Sequence, residues 1–374
     1  MIRSRHLVAL LMMSGTALIA GTTGDIKKGV LNPSALCGDC HQQIYKMWQR
    51  SMHAMSWSDP VFQTAYLKAY EETDGKAREI CQPCHAPGAA VSKARDREAV
   101  AADGIACDYC HSVDRLDRGK QGQNLHIELD GVKRGPLADT VSPVHEIQQS
   151  ALHTSAEFCA ACHEYTNSIG IAVFSTYTEW KASPQAAEGK TCQHCHMPTT
   201  PGQTVKPELG IYRKEINLHD ISGGHSADQV RKAASTRILR VEREKDGKAV
   251  IEVEVANIGS GHSIPTGLPT RKLVLEVVLS AGGREVRRFQ REYQKVLVNA
   301  RGLPIVQDHE AILAARGLRE DTRLKPGEKR VERFVADVPA RGELGVEATL
   351  RYVYEPEIVM RQEMSIDLGT ARFP

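Results

Sequence analysis

The chain has 374 residues, in which 48 Lys and Arg residues nearly balance 46 Asp and Glu residues, for a formal net charge of +2. A charge this small, without a basic block interleaved with aromatic residues, argues against a nucleic-acid partner. The length makes two domains the default expectation.

The N-terminal residues have the pattern of a secretory signal peptide. Arg3 and Arg5 precede an apolar stretch over residues 7–20, and small residues follow it. Residues 1–22 are therefore predicted to be a signal peptide, and the protein to be periplasmic or extracellular. The alternative is an N-terminal membrane anchor that is retained. Because no later segment has 18 consecutive apolar residues, we expect no stable membrane insertion of the mature chain.

Five copies of the pattern Cys-x-x-Cys-His follow, and together they contain all ten cysteines of the chain. This spacing is the attachment signature of c-type haem: two cysteine sulfurs hold the porphyrin, and the adjacent histidine is the proximal iron ligand. Zinc sites or five disulfides are the alternatives, but neither explains a histidine after every second cysteine. The sequence therefore predicts five covalently attached haem c groups. The predicted attachment residues are Cys37, Cys40, Cys81, Cys84, Cys107, Cys110, Cys159, Cys162, Cys192 and Cys195, and the predicted proximal ligands are His41, His85, His111, His163 and His196.

The motifs divide the chain into two regions. Residues 25–225, the haem region, contain every motif at irregular intervals and are predicted to form a pentahaem domain of short helices and long loops. Residues 230–374, the β region, alternate in hydrophobicity with a period of two between turn residues, which predicts antiparallel strands in a small β-sandwich. The predicted fold class is α+β. The predicted strands cover residues 238–243, 250–256, 272–279, 330–338 and 346–354.

His53 is the best argued second iron ligand. Residues 41–53 have the apolar spacing of one helix, in which twelve residues at about 1.5 Å each separate the terminal histidines by about 18 Å. His41 and His53 then cannot bind the same iron, so His53 is predicted to reach a neighbouring haem. The alternative is a surface histidine at the end of the helix.

Other histidines are candidates for the remaining distal positions. His145 and His153 lie eight residues apart, so a helix between them would place both near one face. A capping-box pattern after His153 is predicted to open the helix of the fourth motif. His219 and His225 flank a flexible stretch, and His262 lies in a glycine-rich loop of the β region, from where it would tie the two regions together. Five ligands are expected from the six candidates His53, His145, His153, His219, His225 and His262.

The remaining histidines are expected to have other roles. His126 and His309 are predicted to be solvent-exposed, and attachment geometry constrains His194 between two motif cysteines. Methionines are the alternative ligands for a haem of higher potential. The methionine candidates are Met52, Met55 and Met197.

Several strings in the haem region have a recognisable form: Cys37-Gly-Asp-Cys-His41, Ser51-Met-His-Ala54, Gly104-Ile-Ala-Cys107, Ser142-Pro-Val-His145, Glu157-Phe-Cys159 and Glu179-Trp-Lys181. They resemble the multihaem cytochromes c related to the tetrahaem electron carriers of ammonia oxidisers. The loop from Gly261 to Gly267 resembles part of a C-terminal β-module often appended in that family. The resemblance implies close-packed haem pairs, mostly bis-His ligation and electron transfer outside the cytoplasm. Some relatives keep one haem five-coordinate, and some polymerise into filaments.

An electron carrier is the expected function, because bis-His haems have no open position for a substrate and no catalytic residue stands out. One alternative is an oxidoreductase in which one five-coordinate haem acts on a small nitrogen or sulfur compound. Another is a subunit of a cytochrome filament. Expected partners are other redox proteins, such as cytochromes, quinol-oxidising complexes or terminal reductases. The sequence leaves open the donor, the acceptor, the pairing of distal histidines with irons, and whether the chain forms a homo-oligomer.

Overall fold

The computed structural model describes residues 25–119, 122–355 and 364–374. The predicted signal peptide lies outside these residues. Within the described ranges, no helix combines the length and the apolar character that crossing a membrane requires. Short helices and hairpins make up the haem region, and long antiparallel strands make up the β region.

The helices of the haem region are short, and one of them lies at each motif, as predicted. Helix α3 begins with a proline after Asp59, whose carboxylate accepts a hydrogen bond from Val61 N at 3.3 Å. This capping satisfies one of the free N–H groups at the helix start. The helices are α1 (Ser34–Gly38), α2 (Gln42–Gln49), α3 (Pro60–Glu72), α4 (Ala77–His85), α5 (Pro87–Ser92), α6 (Ala99–Ala102), α7 (Cys107–His111), α8 (Ala156–His163), α9 (Thr176–Lys181), α10 (Pro184–Ala187) and α11 (Cys192–His196).

Four small two-stranded sheets connect these helices. Three of them are antiparallel hairpins, and the pair β3–β4 is parallel. The strands are β1 (Val113–Gly119), β2 (Gly122–Ile127), β3 (Lys133–Gly135), β4 (Ile147–Gln149), β5 (Glu164–Thr166), β6 (Ala172–Ser175), β7 (Thr199–Gln203) and β8 (Tyr212–Asn217).

The β region contains long strands, and each of the five predicted runs coincides with an observed strand, except that Val338 lies just after the strand that contains residues 330–337. Strands β12, β13 and β16 were not predicted from the sequence, and two short helices also occur. The elements are α12 (Ala227–Arg231), β9 (Ala234–Arg243), β10 (Lys248–Asn257), β11 (Arg271–Ala281), β12 (Arg284–Val298), α13 (Asp308–Ala314), β13 (Gly317–Asp321), β14 (Lys329–Asp337), β15 (Leu344–Tyr354) and β16 (Met364–Phe373).

Two antiparallel sheets share one apolar core in this region. Their strand orders are β14-β10-β9 and β13-β12-β11-β15-β16. Alternate residues of each central strand face the core, which is the period expected of a half-buried strand. Ile251 and Val253 of β10 and Leu273 and Leu275 of β11 are all fully buried. The alternation read from the sequence is therefore the pattern in which these strands contribute residues to the shared core.

The two regions are packed against each other. Val173 of β6 and Leu297 of β12 belong to one buried apolar cluster. Lys295 donates hydrogen bonds to the carbonyls of Ala172 and Val173, at 2.7 and 3.1 Å. The Asn167 side chain donates to the Ala315 carbonyl at 2.9 Å. These contacts fix the position of the β region relative to the haem region.

Candidate haem-binding site

All five motifs open onto one connected cavity of about 1410 Å³. Its wall includes all ten cysteines, the five proximal histidines and all six distal candidates. Met52, Met197 and His309 also line it, whereas Met55 is an exposed side chain. The structure therefore brings the predicted site residues together in one place.

Each motif presents its two sulfurs and its imidazole on one side of a helix turn. In a helix, residues i, i+3 and i+4 lie on the same face, and these are the positions of the two cysteines and the histidine. The second to fifth motifs lie in α4, α7, α8 and α11, and the first runs from the end of α1 to His41, which precedes α2. This local geometry suits the attachment of one porphyrin at each motif.

Thiols of different motifs approach one another in the cavity. The Cys37 thiol contacts Cys107, and this contact raises the pKa of Cys37. Contact with Cys162 lowers the pKa of Cys84, and contact with Cys159 lowers the pKa of Cys192. The first and third motifs, the second and fourth, and the fourth and fifth are therefore immediate neighbours.

A backbone carbonyl fixes the orientation of four proximal rings by accepting a hydrogen bond from Nδ1. This bond leaves Nε2 as the unprotonated nitrogen, which is the form that binds a metal. The bonds are His41 Nδ1 to Thr204 O (2.5 Å), His85 Nδ1 to Ser56 O (3.0 Å), His111 Nδ1 to Arg134 O (2.6 Å) and His196 Nδ1 to Ser222 O (2.6 Å).

Four proximal histidines face a second imidazole at a nearly constant distance. Two imidazoles on opposite sides of one metal ion have ring centroids about 6 Å apart, because each metal–nitrogen bond is about 2.0–2.1 Å long and the centroid lies about 1 Å behind the nitrogen. The observed centroid distances are 6.2 Å for His41–His145, 6.2 Å for His53–His163, 6.4 Å for His111–His219 and 6.3 Å for His196–His262. Each pair therefore has the spacing of two trans ligands on one metal.

The second ring of three pairs is oriented in the same way as the proximal rings. His145, His219 and His262 donate from Nδ1 to backbone carbonyls at 3.1, 2.9 and 3.0 Å. Burial lowers the pKa of His219 and that of His262 to about 4. Both rings are therefore neutral at physiological pH, as a metal ligand must be.

His53 faces the fourth motif, although the continuous helix predicted for residues 41–53 is wrong. Helix α2 ends at Gln49, and a series of turns follows. In these turns the His53 carbonyl accepts hydrogen bonds from Ile105 N at 3.0 Å and Ser56 Oγ at 2.8 Å. Burial lowers the pKa of His53 to about 3. Long-range contacts thus replace the end of the helix and place the ring opposite His163.

The helix expected between His145 and His153 is also absent. Strand β4 and a 3-10 turn (Ala151–Thr154) occupy that segment, because β4 pairs with β3 instead of continuing a helix. The following helix α8 is present, but the Ser155 side chain makes no capping hydrogen bond. His153 stacks beside His111 at 5.6 Å and donates from Nε2 to the Cys110 carbonyl at 3.0 Å. Its Nε2 is therefore engaged by the protein.

The other histidines have individual surroundings. His225 meets the edge of the Tyr354 ring at 6.5 Å, and His126 Nδ1 lies 2.6 Å from an Asp114 oxygen. The His194 side chain accepts a hydrogen bond from the backbone N–H of Thr191, the residue that precedes α11. The expectation that His309 is solvent-exposed is wrong: it is 5% exposed and lies 3.2 Å from Glu72, because α13 packs against α3.

His85 of the second motif differs from the other proximal histidines. Among the described residues, no second imidazole faces it at the spacing of a pair. Its ring stacks on Phe62 of α3, with centroids 3.8 Å apart and planes at 11°. Burial lowers the pKa of His85. The protein thus orients this ring through the stack with Phe62 and the hydrogen bond from Nδ1, and His85 lines the cavity.

A buried ion pair holds the loop that carries His262. Glu179 of α9 lies 2.7 Å from Arg323 and accepts hydrogen bonds from Ser263 N (3.2 Å) and Thr266 Oγ1 (2.8 Å). The sequence marked Glu179 only as part of a familiar string. The role of Arg323 was missed, because no local pattern connects it with a loop some sixty residues earlier.

Comparisons with known proteins agree with this architecture. Residues 36–112 match the family model described as cytochrome c554 and c-prime. The chain is similar to the solved penta-heme cytochrome c552 from Thermochromatium tepidum, with 22% identity over 92% of this chain and 99% of that chain, and a TM-score of 0.71. The comparison with curated proteins gave no match.

A second solved structure, the CARDB domain of the PF1109 protein from Pyrococcus furiosus in complex with di-metal ions, is 16% identical. It aligns with 37% of this chain and 83% of that chain at a TM-score of 0.19, which is too low to carry an argument. The first match shows that the fold is that of a multihaem cytochrome c. The five motifs, their shared cavity and the family match together support haem c as the cofactor.

Proposed function

We propose that this protein is an exported pentahaem c-type cytochrome that transfers electrons between redox partners. The observation that carries the proposal is the set of four histidine pairs at 6.2–6.4 Å. Haem held by these motifs would supply one-electron redox chemistry. The paired imidazoles would hold four of the five haems with two protein ligands each and would thereby exclude substrate from their irons.

In this proposal each distal ligand comes from a different part of the chain. His145 serves the first motif, His219 the third, His53 the fourth and His262 the fifth. His153 and His225 are then not ligands. Two imidazoles keep a haem potential low, because neither supplies the potential-raising thioether of methionine.

The neighbouring thiols support a continuous path for electrons. The contacts Cys37–Cys107, Cys84–Cys162 and Cys159–Cys192 join motifs in pairs. The third motif lies next to the fourth, because Cys110 is close enough to Cys159 and Cys162 to influence the pKa of both thiols. In the proposed arrangement the haem of the first motif lies next to that of the third, and the third lies next to the fourth. The haems of the second and fifth motifs both lie next to that of the fourth.

A second candidate function follows from His85. If no protein ligand reaches the iron opposite this ring, one coordination position is open to a small molecule. The protein would then be an oxidoreductase acting on a small nitrogen or sulfur compound, with the four paired sites delivering or removing electrons. The stacking of Phe62 on His85, without a facing imidazole among the described residues, favours this candidate.

Electron paramagnetic resonance of the oxidised protein tests both candidates. Pyridine haemochrome absorbance must first give five haems per chain, since a value near zero would refute both. Four low-spin haems and one high-spin haem that turns low-spin with cyanide support the open site at His85. A wholly low-spin spectrum supports the carrier alone. More than one high-spin haem would contradict the assignment of four ligand pairs.

The wider setting is also part of the proposal. We infer a periplasmic or extracellular location and partners among cytochromes, quinol-oxidising complexes or terminal reductases. We interpret the haem region and the β region as two domains, and the two shared-core sheets of the latter as a β-sandwich. A filament subunit is the third alternative, and a strict monomer in sedimentation would exclude it.

A further inference from the structure

Arg271 places a guanidinium group at the wall of the haem-binding cavity. It is the first residue of β11 and pairs across the sheet with Tyr354, and its Cζ atom lies 5.4 Å from the centre of the Tyr354 ring. Two glycines flank the same group: a Cβ atom at Gly267 would lie 3.1 Å from Nη1, and one at Gly224 would lie 3.7 Å from it. The lack of side chains at both positions leaves the guanidinium open to the cavity.

This guanidinium lacks a counter-ion within the described part of the chain. Arg271 forms no ion pair and donates no side-chain hydrogen bond there, and its Nε atom is buried without a partner. The carboxylate that acts on it, Asp308, already accepts hydrogen bonds from Tyr354 Oη at 2.6 Å and from Thr270 Oγ1. A guanidinium that is partly removed from water and has no counter-ion is destabilised relative to one that is paired with an anion. An anion that the described residues do not supply would therefore stabilise the Arg271 guanidinium.

We propose that Arg271 binds a small oxyanion, either a carboxylate or an inorganic oxyanion, in the cavity beside Gly224 and His225. Arginine presents a planar fork of N–H donors that matches two oxygen atoms of such a group. Its charge also reaches His225: burial is the main cause of the lowered pKa of that ring, and repulsion by Arg271 is the second cause.

Two sources share this chemistry. The anion is either a propionate carboxylate of a bound haem or a free oxyanion that enters from solvent. The first source rests on the proposed haem loading, whereas the second does not.

The opposing explanation is that Arg271 only stacks on Tyr354 and needs no anion. The chain offers a matched control for this explanation. Arg291 Cζ lies 5.2 Å from the centre of the Phe334 ring, and its guanidinium is 3.5 Å from Glu332. Arg291 thus has the same stacking geometry but already has a carboxylate partner, and it lies outside the cavity wall.

The experiment compares the wild type with Arg271→Gln, Arg271→Lys and Arg291→Gln, each as the full haem-loaded chain. Haem content per chain is measured first, so that a failure of haem loading is separated from a failure of this proposal. Spectropotentiometric titrations then follow all haems, with and without sodium sulfate at constant ionic strength. Sulfate is the probe because it is an oxyanion that binds haem iron poorly.

Both sources predict a change in the titration of Arg271→Gln, and Arg271→Lys, which keeps the charge, separates loss of the anion contact from loss of the charge alone. If Arg271 holds a propionate, Arg271→Gln lowers the potential of one haem, because removing a positive charge favours the ferric state, and sulfate has no effect. If it holds a free anion, sulfate shifts one wild-type potential saturably, and Arg271→Gln abolishes that shift. Arg291→Gln leaves the titration unchanged in either case.

The proposal is overturned if fully loaded Arg271→Gln has the wild-type titration both with and without sulfate. If Arg271→Gln does not accumulate, Arg271→Lys carries the test. Lysine keeps the charge but loses the two-point contact, so a smaller change at the same haem is expected. A titration of Arg271→Lys that is identical to wild type in both conditions then refutes the proposal.

Discussion

At the scale of single residues, the position of one proton decides which nitrogen of an imidazole can bind a metal. Carbonyl oxygens hold Nδ1–H in His41, His85, His111 and His196, and their Nε2 atoms are free to bind. His153 has the opposite arrangement, since its Nε2 donates to Cys110. Two histidines that look equivalent in the sequence thus differ in chemistry because different atoms meet the backbone.

Replacing His53 with methionine should raise the potential of one haem. A thioether in place of an imidazole stabilises the ferrous state, and a shift on the order of 0.1–0.2 V is expected within the about 0.8 V range that axial ligands span. A spectropotentiometric titration measures it. His225→Met is the control, since His225 lines the cavity without facing another imidazole. Equal titrations of the two variants would remove His53 from the ligand set.

Phe62 is expected to support the second motif through its stack on His85. Phe62→Leu keeps an apolar side chain but loses the aromatic pair, so the free energy of unfolding should fall by about 1 kcal/mol, measured by guanidinium denaturation. The high-spin signal expected from this site should also broaden. Phe289→Leu removes a comparable pair with Phe334 at 5.0 Å in the β region. That variant should be destabilised with an unchanged signal; a change in its signal would argue against a local effect of Phe62.

At the scale of elements, the ion pair between α9 and the segment after β13 is expected to keep the His262 loop in place. Glu179→Gln should lower the free energy of unfolding by less than the about 3–5 kcal/mol typical of breaking a buried pair, because Arg323 keeps Asp321 at 2.7 Å. It should also convert part of one low-spin haem to high-spin as His262 is released. Glu332→Gln, which breaks a pair with an exposed Arg291, should leave the spin state unchanged. A fully low-spin fifth haem in Glu179→Gln would show that the His262 loop keeps its conformation without the ion pair.

Elements set by local periodicity could be predicted, and those set by distant contacts could not. Strands β10 and β11 alternate in sequence because one face of each is buried, so they were predicted. Residues 41–53 also have helical spacing, but the chain leaves the helix after Gln49 so that the His53 carbonyl meets Ile105 N. The five motifs identify half of the site by spacing alone. The positions of the facing histidines depend on tertiary packing. The sequence indicated them only through the number of histidines outside the five motifs.

At the scale of the whole molecule, the two regions differ in how they are stabilised. The β region has one large apolar core with residues such as Ile251, Leu275 and Leu350 fully buried. The main core of the haem region, around Trp57 and Tyr66, is completed mostly by alanines. Little apolar side-chain area is therefore buried there. The large cavity leaves apolar surface of the haem region available for contact with bound porphyrins.

Maturation without haem attachment should therefore unfold the haem region and spare the β region. A hydrophobic core that is complete without a cofactor protects its backbone from proteolysis, whereas a segment with few buried contacts opens locally. Limited proteolysis with mass spectrometry of protein made without the attachment machinery should give cuts concentrated in residues 25–225. A resistant fragment beginning near Ala234 should remain, and the haem-loaded protein provides the control for intrinsic cleavage sites. A haem-free chain that melts cooperatively and resists protease throughout would show that the haem region folds on its own side chains.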